Sequence, residues 1–135
     1  MVIGHGYEFG DPALEVAETY PDTKFICTEA DASADNVASY VMACEQTAYV
    51  EGIIAASTSE SGKLGAIGPI PGDSLVKIIN GYEDGAKSVN PDIEVQTAWT
   101  NSFVDTQLAQ EAAKAMIDNG VDVIKHCANA CGMVQ

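Results

Sequence analysis

Arginine is absent from this 135-residue chain, and its six basic residues are all lysines. Twenty acidic side chains outnumber them and give a formal net charge of −14 at pH 7. Bidentate clamps on phosphate usually use arginine, so we do not expect a heavily phosphorylated ligand. The negative charge also repels phosphate backbones and anionic lipids, so neither nucleic acid nor a lipid surface is a predicted partner.

Long apolar segments are also absent. No run reaches the roughly 20 residues that a membrane-spanning helix needs. No charged segment followed by an apolar one, the pattern of a secretory signal, opens the chain. Val2–Gly4 has the character of a strand directly after Met1, and the chain ends soon after another predicted strand, Val121–His126. We therefore expect a fragment or a truncated domain.

Signals for catalysis and metal binding are weak. The chain has neither a G-x-S-x-G nucleophile elbow nor a complete phosphate-loop motif. The spacing of His126, Cys127 and Cys131 fits no common zinc pattern, and Cys27 and Cys44 are expected to be small buried hydrophobic residues. The four cysteines allow three disulfide pairings, among which the sequence does not choose. We predict no catalytic residue, no cofactor and no metal.

Apolar residues make up 47% of the chain, enough for a packed core. Short apolar strands alternate with helical patterns, which predicts an α/β fold whose parallel sheets are flanked by helices. The longest helical pattern covers residues 36–58. Gly52 within it indicates close packing, and Gly81 and Gly85 in the next helix indicate close approach to a sheet. The small polar run Ser57–Gly62 marks the boundary if the chain has two parts.

The stretch Lys63–Asp73 combines a strand, a Gly/Pro turn that starts at Gly68, and the beginning of a helix. Such a junction directs free backbone N–H groups and the positive end of a helix dipole at one place. Parallel α/β proteins hold polar ligands at these places, outside the carboxyl ends of the strands. The loops that follow the strands are therefore the predicted ligand-binding positions.

Aromatic and polar side chains in these loops are the candidate ligand contacts. Either Phe103 stacks on a flat ring beside Asp105, or Phe103 packs on its own helix while Asp105 caps it. Trp99 lines a pocket or closes the edge of the core. Asn36 can hydrogen-bond a hydroxyl or a base edge, or it is an ordinary residue near a helix start. Tyr7 and Phe9 form an opposing aromatic wall of the site, or they are structural anchors. The last candidate is Gly68, the turn glycine after the strand.

Several short motifs, in their order and spacing, resemble the basic-membrane-protein family of substrate-binding proteins, which includes purine-nucleoside receptor lipoproteins. The motifs are G-H-G-Y-E-F-G-D, D-N-V, Y-V-E-G-I-I-A-A-S, K-L-G-A-I-G, N-G-Y-E-D-G-A, N-S-F-V-D and G-V-D-V-I-K. The resemblance implies a type I periplasmic-binding fold with a ligand cleft between two α/β lobes. It implies that residues 1–59 are the C-terminal part of the first lobe and residues 60–135 the N-terminal part of the second.

The resemblance also implies a function. The full-length protein is expected to be the solute receptor of an ABC importer, to bind a nucleoside or similar small polar ring compound, and to do no chemistry. Closure around the ligand would use a hinge near Ser59–Gly62. The implied partners are the small-molecule ligand and a membrane permease. The implied location is extracytoplasmic, either periplasmic or membrane-anchored, with the signal outside this chain. Gly68–Pro71 departs from the paired glycine that the family often has there.

Two other classes of function remain open. One is the ligand-sensing module of a regulator, since this fold serves both purposes, and an attached basic DNA-binding segment would indicate it. The other is a cytoplasmic α/β enzyme, which a pocket with a strongly perturbed histidine or cysteine would favour. A fragment with parts of two lobes would leave sheet edges and apolar faces uncovered, so self-association of this chain is also predicted.

Overall fold

The computed structural model describes residues 1–127 of the chain. The predicted α/β architecture is confirmed, with parallel sheets flanked by helices. The backbone divides into two compact units, of which the first is Met1–Ala43 and the second begins at Cys44. The predicted lobe boundary at residues 59 and 60 lies inside the second unit, because the helix before it packs along the next helix of that unit.

The first unit is a three-stranded parallel sheet with one α-helix. Phe25 of the central strand faces Val2 on one side and Val37 on the other. Its core contains small and apolar side chains from the helix, the central strand and the loop after it. The elements are β1 (Val2–His5), a 3-10 helix (Tyr7–Phe9), α1 (Gly10–Thr19), β2 (Phe25–Thr28) and β3 (Val37–Tyr40), in the sheet order β1-β2-β3.

The third strand corrects a prediction. The sequence predicted one helix over residues 36–58, but Val37–Tyr40 forms β3 and the helix begins only at Cys44. The apolar spacing of this segment fits a helix, yet pairing with β2 buries Val37 and leaves Tyr40 exposed. The hydroxyl of Ser39 also bonds the backbone N–H and C=O of Ala32, which fixes the strand against the preceding loop. Tertiary pairing therefore overrides the local helical pattern.

The second unit has a central strand that is buried on both faces. Leu64 and Ala66 of this strand belong to the core beneath two helices, and Ile67 belongs to a separate core beneath a third helix. Such two-sided burial explains why the strand is a continuous apolar run. The elements are α2 (Cys44–Thr58), β4 (Lys63–Gly68), α3 (Asp73–Val89), β5 (Glu94–Trp99), α4 (Thr106–Asp118) and β6 (Val123–His126), in the parallel sheet order β5-β4-β6.

Glycines allow the backbones of α2 and α3 to touch. A Cβ atom on Gly52 of α2 would lie 2.0 Å from the carbonyl oxygen of Tyr82 in α3. The glycines of α3 approach α2 as closely. A Cβ on Gly81 would lie 2.5 Å from the carbonyl oxygen of Glu45, and one on Gly85 would lie 1.9 Å from that of Tyr49. The close packing predicted for Gly52 is confirmed. The prediction that Gly81 and Gly85 lie close to a sheet is wrong, because these glycines face helix α2.

The small polar run between α2 and β4 is anchored by a carboxylate. Asp122, in the turn before β6, accepts a hydrogen bond from the Ser59 hydroxyl at 2.7 Å and from the backbone N–H groups of Glu60 and Ser61 at 2.7 and 2.8 Å. The Ser59 hydroxyl bond is the main reason that the pKa of Asp122 lies well below its usual range, and the two backbone bonds add to it. The segment predicted as a hinge is therefore tied to the sheet of the second unit.

Candidate functional site

The carboxyl ends of the three strands of the second unit lie at one edge of its sheet. β4 ends at Gly68, β5 at Trp99 and β6 at His126. In parallel α/β folds this edge is where polar ligands are held. The candidate loop after β6 begins at Cys127, and its remaining part, Ala128–Gly132 with Cys131, lies outside the described residues.

The loop after β5 is built from short polar residues. The backbone N–H of Thr100 donates to the carbonyl of Gly68 at 2.9 Å, and the Thr100 hydroxyl donates to the carbonyl of Ser102 at 2.8 Å. Asn101 adopts the left-handed backbone region with φ of 54°, a conformation that asparagine tolerates better than most residues. These contacts form a tight turn directly after the strand, and Phe103 follows this turn in the chain.

Phe103 is partly open to solvent. Its exposed fraction is 38%, and that of the neighbouring Val104 is 72%. A ring in this position retains a free surface on which a flat ligand ring can stack. The alternative interpretation, in which Phe103 packs back on its own helix, is also compatible with this partial exposure, so stacking on a ligand stays a prediction.

Asp105 is the N-cap of α4. One of its carboxylate oxygens accepts hydrogen bonds from the backbone N–H groups of Gln107 and Leu108, at 3.0 and 3.1 Å. These two groups have no partner within the helix, so the carboxylate satisfies them. The capping interpretation is therefore sufficient to explain this residue, and a contact with a ligand stays a prediction.

Gly68 and Trp99 face each other across β4 and β5. The Trp99 ring covers Gly68 so closely that a Cβ atom there would lie 2.3 Å from the ring. Trp99 also packs against the core beneath α2 and α3. The structure thus brings both predicted residues to the candidate edge, and it favours the interpretation in which Trp99 closes the core.

The first unit has an equivalent edge at the ends of its own strands. The Nδ1 atom of His5 lies 2.5 Å from the hydroxyl of Thr28. Tyr7 follows in the 3-10 helix with 60% of its surface exposed, and Tyr40 ends β3 with 63% exposed. Sequence reasoning missed Tyr40 because it placed that residue in a helix. The V-A-S-Y segment has no alternation of apolar and polar residues that would have signalled a strand.

Phe9 has mainly a packing role. Its side chain lies over Gly4, where a Cβ atom would be 2.9 Å from the Phe9 ring. Phe9 also lines a cavity of about 180 Å³ between α1 and the sheet, together with Pro12, Phe25 and other apolar residues. A polar ring compound needs hydrogen-bonding groups as well as apolar walls. This cavity therefore does not match the predicted ligand.

Asn36 lies at the opposite edge of the first sheet, just before β3. The nitrogen of its side-chain amide lies 3.0–3.1 Å from the carbonyl oxygens of Ala17, Tyr20 and Thr23, which share its two hydrogens. The amide hydrogens thus close the end of α1 and the turn after it. The structure does not bring Asn36 together with the other candidates of the first unit, and its predicted contact with a ligand has no geometric support.

A group of ionisable side chains surrounds Tyr82 in the second unit. Lys125 forms an ion pair with Glu51, and its amine lies 5.9 Å from the centre of the Tyr82 ring. The Tyr82 hydroxyl is buried and has no hydrogen-bond partner among residues 1–127. Burial, with a contribution from Glu51, raises the pKa of Tyr82 to about 12. Burial likewise raises the pKa of the Cys127 thiol, which is opposite to the shift that activates a cysteine as a nucleophile.

Residues 1–127 contain neither a cluster of metal ligands nor a membrane-spanning helix. Histidine, cysteine and acidic side chains form no group of three that could hold a metal ion within this range. No helix there is both long and apolar enough to cross a bilayer. Cys27, Cys44 and Cys127 are free thiols in the same range.

The fold is shared with solved solute-binding proteins of ABC transporters. One from Aeropyrum pernix K1 superposes with a TM-score of 0.83 at 29% identity, over 95% of this chain and 39% of that one. A transcriptional activator of the comK gene from Bacillus halodurans gives 0.78 at 27% identity, over 96% of this chain and 44% of that one. The fold thus occurs both in a solute-binding protein of a transport system and in a transcriptional activator.

The chain belongs to the Bmp family, the PnrA-like ABC transporter substrate-binding proteins, whose family model matches residues 1–134. This is a family of substrate-binding proteins and not of enzymes. A purine-binding protein of Brucella abortus is 37% identical over the whole chain, which spans 39% of the length of that relative. The resemblance drawn from the sequence motifs is therefore confirmed.

Proposed function

We propose that the full-length protein is the solute receptor of an ABC importer and that its ligand is a purine nucleoside or a similar small polar ring compound. Family membership over residues 1–134 carries this proposal. The purine named for the relative from Brucella abortus supports a flat heteroaromatic ligand. The protein acts outside the cytoplasm, periplasmic or anchored to the membrane, and delivers its ligand to a membrane permease.

Phe103 gives the ligand an aromatic contact. Its ring is 38% exposed at the carboxyl edge of the second sheet, where the backbone groups of the loops after β4 and β5 meet. Stacking on such a ring contributes about 0.5–1.5 kcal/mol beyond the area that it buries. Tyr7 is the exposed aromatic candidate of the first unit. The absence of arginine fits an uncharged nucleoside better than a nucleotide.

Isothermal titration of the full-length protein with adenosine, guanosine, cytidine, adenine and D-ribose tests the proposal. We expect at least one purine nucleoside to bind at micromolar concentration or better. Phe103→Leu should weaken that binding by about tenfold, since it removes the stacking surface but retains an apolar side chain. Tyr20→Leu is the matched control, because Tyr20 is an exposed aromatic residue at the end of α1.

Two results would contradict parts of this proposal. If the folded full-length protein binds none of these compounds, the proposed ligand class is wrong. If Phe103→Leu and Tyr20→Leu leave the affinity equally unchanged, the ligand binds elsewhere than at the loop after β5.

A further inference from the structure

The geometry points to Thr100 and Ser102 as positioning residues, whose hydroxyl groups hold Phe103 ready for the ligand. This inference rests on the proposed function, because it deepens the role that Phe103 has there. Both residues lie in a loop, residues 100–105, that the sequence predicted to bind ligand, although neither was singled out there as a contact. Both belong to the loop after β5, and each bonds the backbone on one side of Phe103.

Thr100 ties the beginning of the loop to the neighbouring strand. Its backbone N–H and its hydroxyl both reach the carbonyl oxygen of Gly68, at 2.9 and 3.4 Å. The hydroxyl also donates to the carbonyl of Ser102 at 2.8 Å. The residue before Phe103 is therefore fixed relative to the end of β4.

Ser102 ties the end of the loop to the start of α4. Its hydroxyl oxygen accepts hydrogen bonds from the backbone N–H groups of Asp105 and Val104, at 3.0 and 3.3 Å. Asp105 in turn caps α4 through its own side chain. The backbone on both sides of Phe103 is thus held by polar contacts.

Neither Phe103 nor Val104 belongs to a core cluster of residues 1–127, and Val104 is 72% exposed. The hydrogen bonds of the two hydroxyl groups to the flanking backbone therefore contribute to the orientation of Phe103. Ordering a mobile loop at the moment of binding lowers affinity, and a loop held in advance avoids that loss.

The first test compares affinities for a purine nucleoside in the full-length protein. Removing one of the hydroxyl groups, by Ser102→Ala or Thr100→Val, should weaken binding about three- to tenfold, as expected for a net hydrogen bond. Ser102→Thr restores a hydroxyl and should bind within about twofold of the unmodified protein. Thr97→Val, the same change at an exposed position of β5, is the matched control and should have no effect.

A double-mutant cycle separates positioning from general damage. If Ser102 acts through Phe103, then Ser102→Ala should cause no further loss of affinity in the Phe103→Leu protein. A purely structural defect would lower affinity by the same factor in both backgrounds. Additive losses, or no loss from either hydroxyl variant, would overturn the inference.

A measurement without ligand keeps this inference distinct from the proposed function. Amide hydrogen exchange at Val104 and Asp105 should accelerate in Ser102→Ala, whereas exchange within α4 beyond its first turn should not. Unchanged exchange at both amides would refute the anchoring of the loop. If the unmodified protein binds no nucleoside, the proposed function is refuted, and the exchange result still decides whether the hydroxyl groups hold Phe103.

Discussion

The ring of Trp99 occupies the space that a side chain on Gly68 would need. A Cβ atom on Gly68 would lie 2.3 Å from Cζ3 and 2.7 Å from Cε3 of Trp99, closer than any such contact in real proteins. The two residues are paired in register at the ends of β4 and β5. Their contact determines the shape of the sheet edge from which the Phe103 loop departs.

Gly68→Ala should displace the Trp99 ring. Trp99 is the single tryptophan of these 135 residues, so its fluorescence reports the change directly. We expect a red shift of the emission maximum as the ring moves toward water, together with lower thermal stability. Gly72→Ala is the matched control, because nothing lies within 4 Å of a Cβ there. Identical spectra of the two variants would show that the ring does not depend on Gly68.

Gly52→Ala should strongly destabilise the second unit. The added carbon would meet a carbonyl oxygen of Tyr82 at 2.0 Å and the backbone nitrogen of Ala86 at 2.8 Å, and a backbone cannot move aside as a flexible side chain does. We expect a loss of about 3 kcal/mol in the free energy of unfolding by urea, near the upper end for overpacking. A loss below about 1 kcal/mol would contradict the packing of α2 on α3.

Tyr82 should make stability fall at high pH. Its pKa in the folded protein is about 12, above the ordinary value of 10.0, because burial disfavours the phenolate. As the pH rises, this tyrosine loses its proton in the unfolded chain before it does so in the folded protein. Its contribution to the free energy of unfolding is therefore complete below pH 10 and is lost between about pH 10 and 12, with a limiting slope of about 1.4 kcal/mol per pH unit. Urea unfolding followed across this range checks the direction.

Tyr82→Phe provides the matching substitution. The hydroxyl is buried without a hydrogen-bond partner among the described residues, so its removal should leave the free energy of unfolding at pH 7 within about 1 kcal/mol of the original or raise it. The fall in stability above pH 10 should become shallower in the same variant. A loss above about 2 kcal/mol at pH 7 would reveal a partner for the hydroxyl.

Asp122→Asn should release the segment Ser59–Gly62. The carboxylate accepts three hydrogen bonds there, and its lowered pKa shows that they favour the charged form. Exchange of the Glu60 and Ser61 amides should accelerate in this variant, and not in Asp92→Asn, a change in an exposed turn. The stabilising effect of Asp122 is present above about pH 4, the ordinary aspartate pKa, and is lost as the pH falls through the lower folded value.

Asp105→Ala should weaken the start of α4. Loss of the bonds to Gln107 and Leu108 should lower the free energy of unfolding by about 1 kcal/mol, whereas Asp105→Asn retains a capping oxygen and should cost much less. Titration of the Asp105→Asn variant with a purine nucleoside then tests whether the Asp105 carboxylate contacts the ligand. Unchanged affinity would leave Asp105 with its capping role alone.

The alternation of strands and helices was predictable from the sequence because it depends on local apolar patterns. The cap at Asp105 and the glycine that ends α4, Gly120 with φ of 88°, were predictable for the same reason. β3 was not predictable in this way, since Val37 and Tyr40 fit a helical spacing as well as a strand. Only pairing with β2 decides between the two.

The candidate site was only partly predictable. Phe103 was identified because an aromatic residue in a short loop after a strand, two residues before an acid that begins a helix, can stack on a flat ring. The hydrogen bonds of Thr100 and Ser102 were not predicted, since a hydroxyl group near a turn has many possible partners and its actual bonds depend on the folded backbone. Asn36 was predicted as a ligand contact, but in the structure its amide faces three backbone carbonyl oxygens. The sequence could not show this, because the position of Asn36 at the opposite sheet edge follows from the pairing of β3 with β2.

The contact between α2 and α3 has a practical consequence for biosensor engineering. A split reporter works only if each half retains the surfaces on which it folds. Cutting the polypeptide within Ser59–Gly62 would separate two helices whose backbones touch through Gly52 and Gly85, and it would sever the segment that Asp122 holds. A cut between Ala43 and Cys44 avoids both losses, so we recommend that position for inserting a fluorescent domain or dividing the gene.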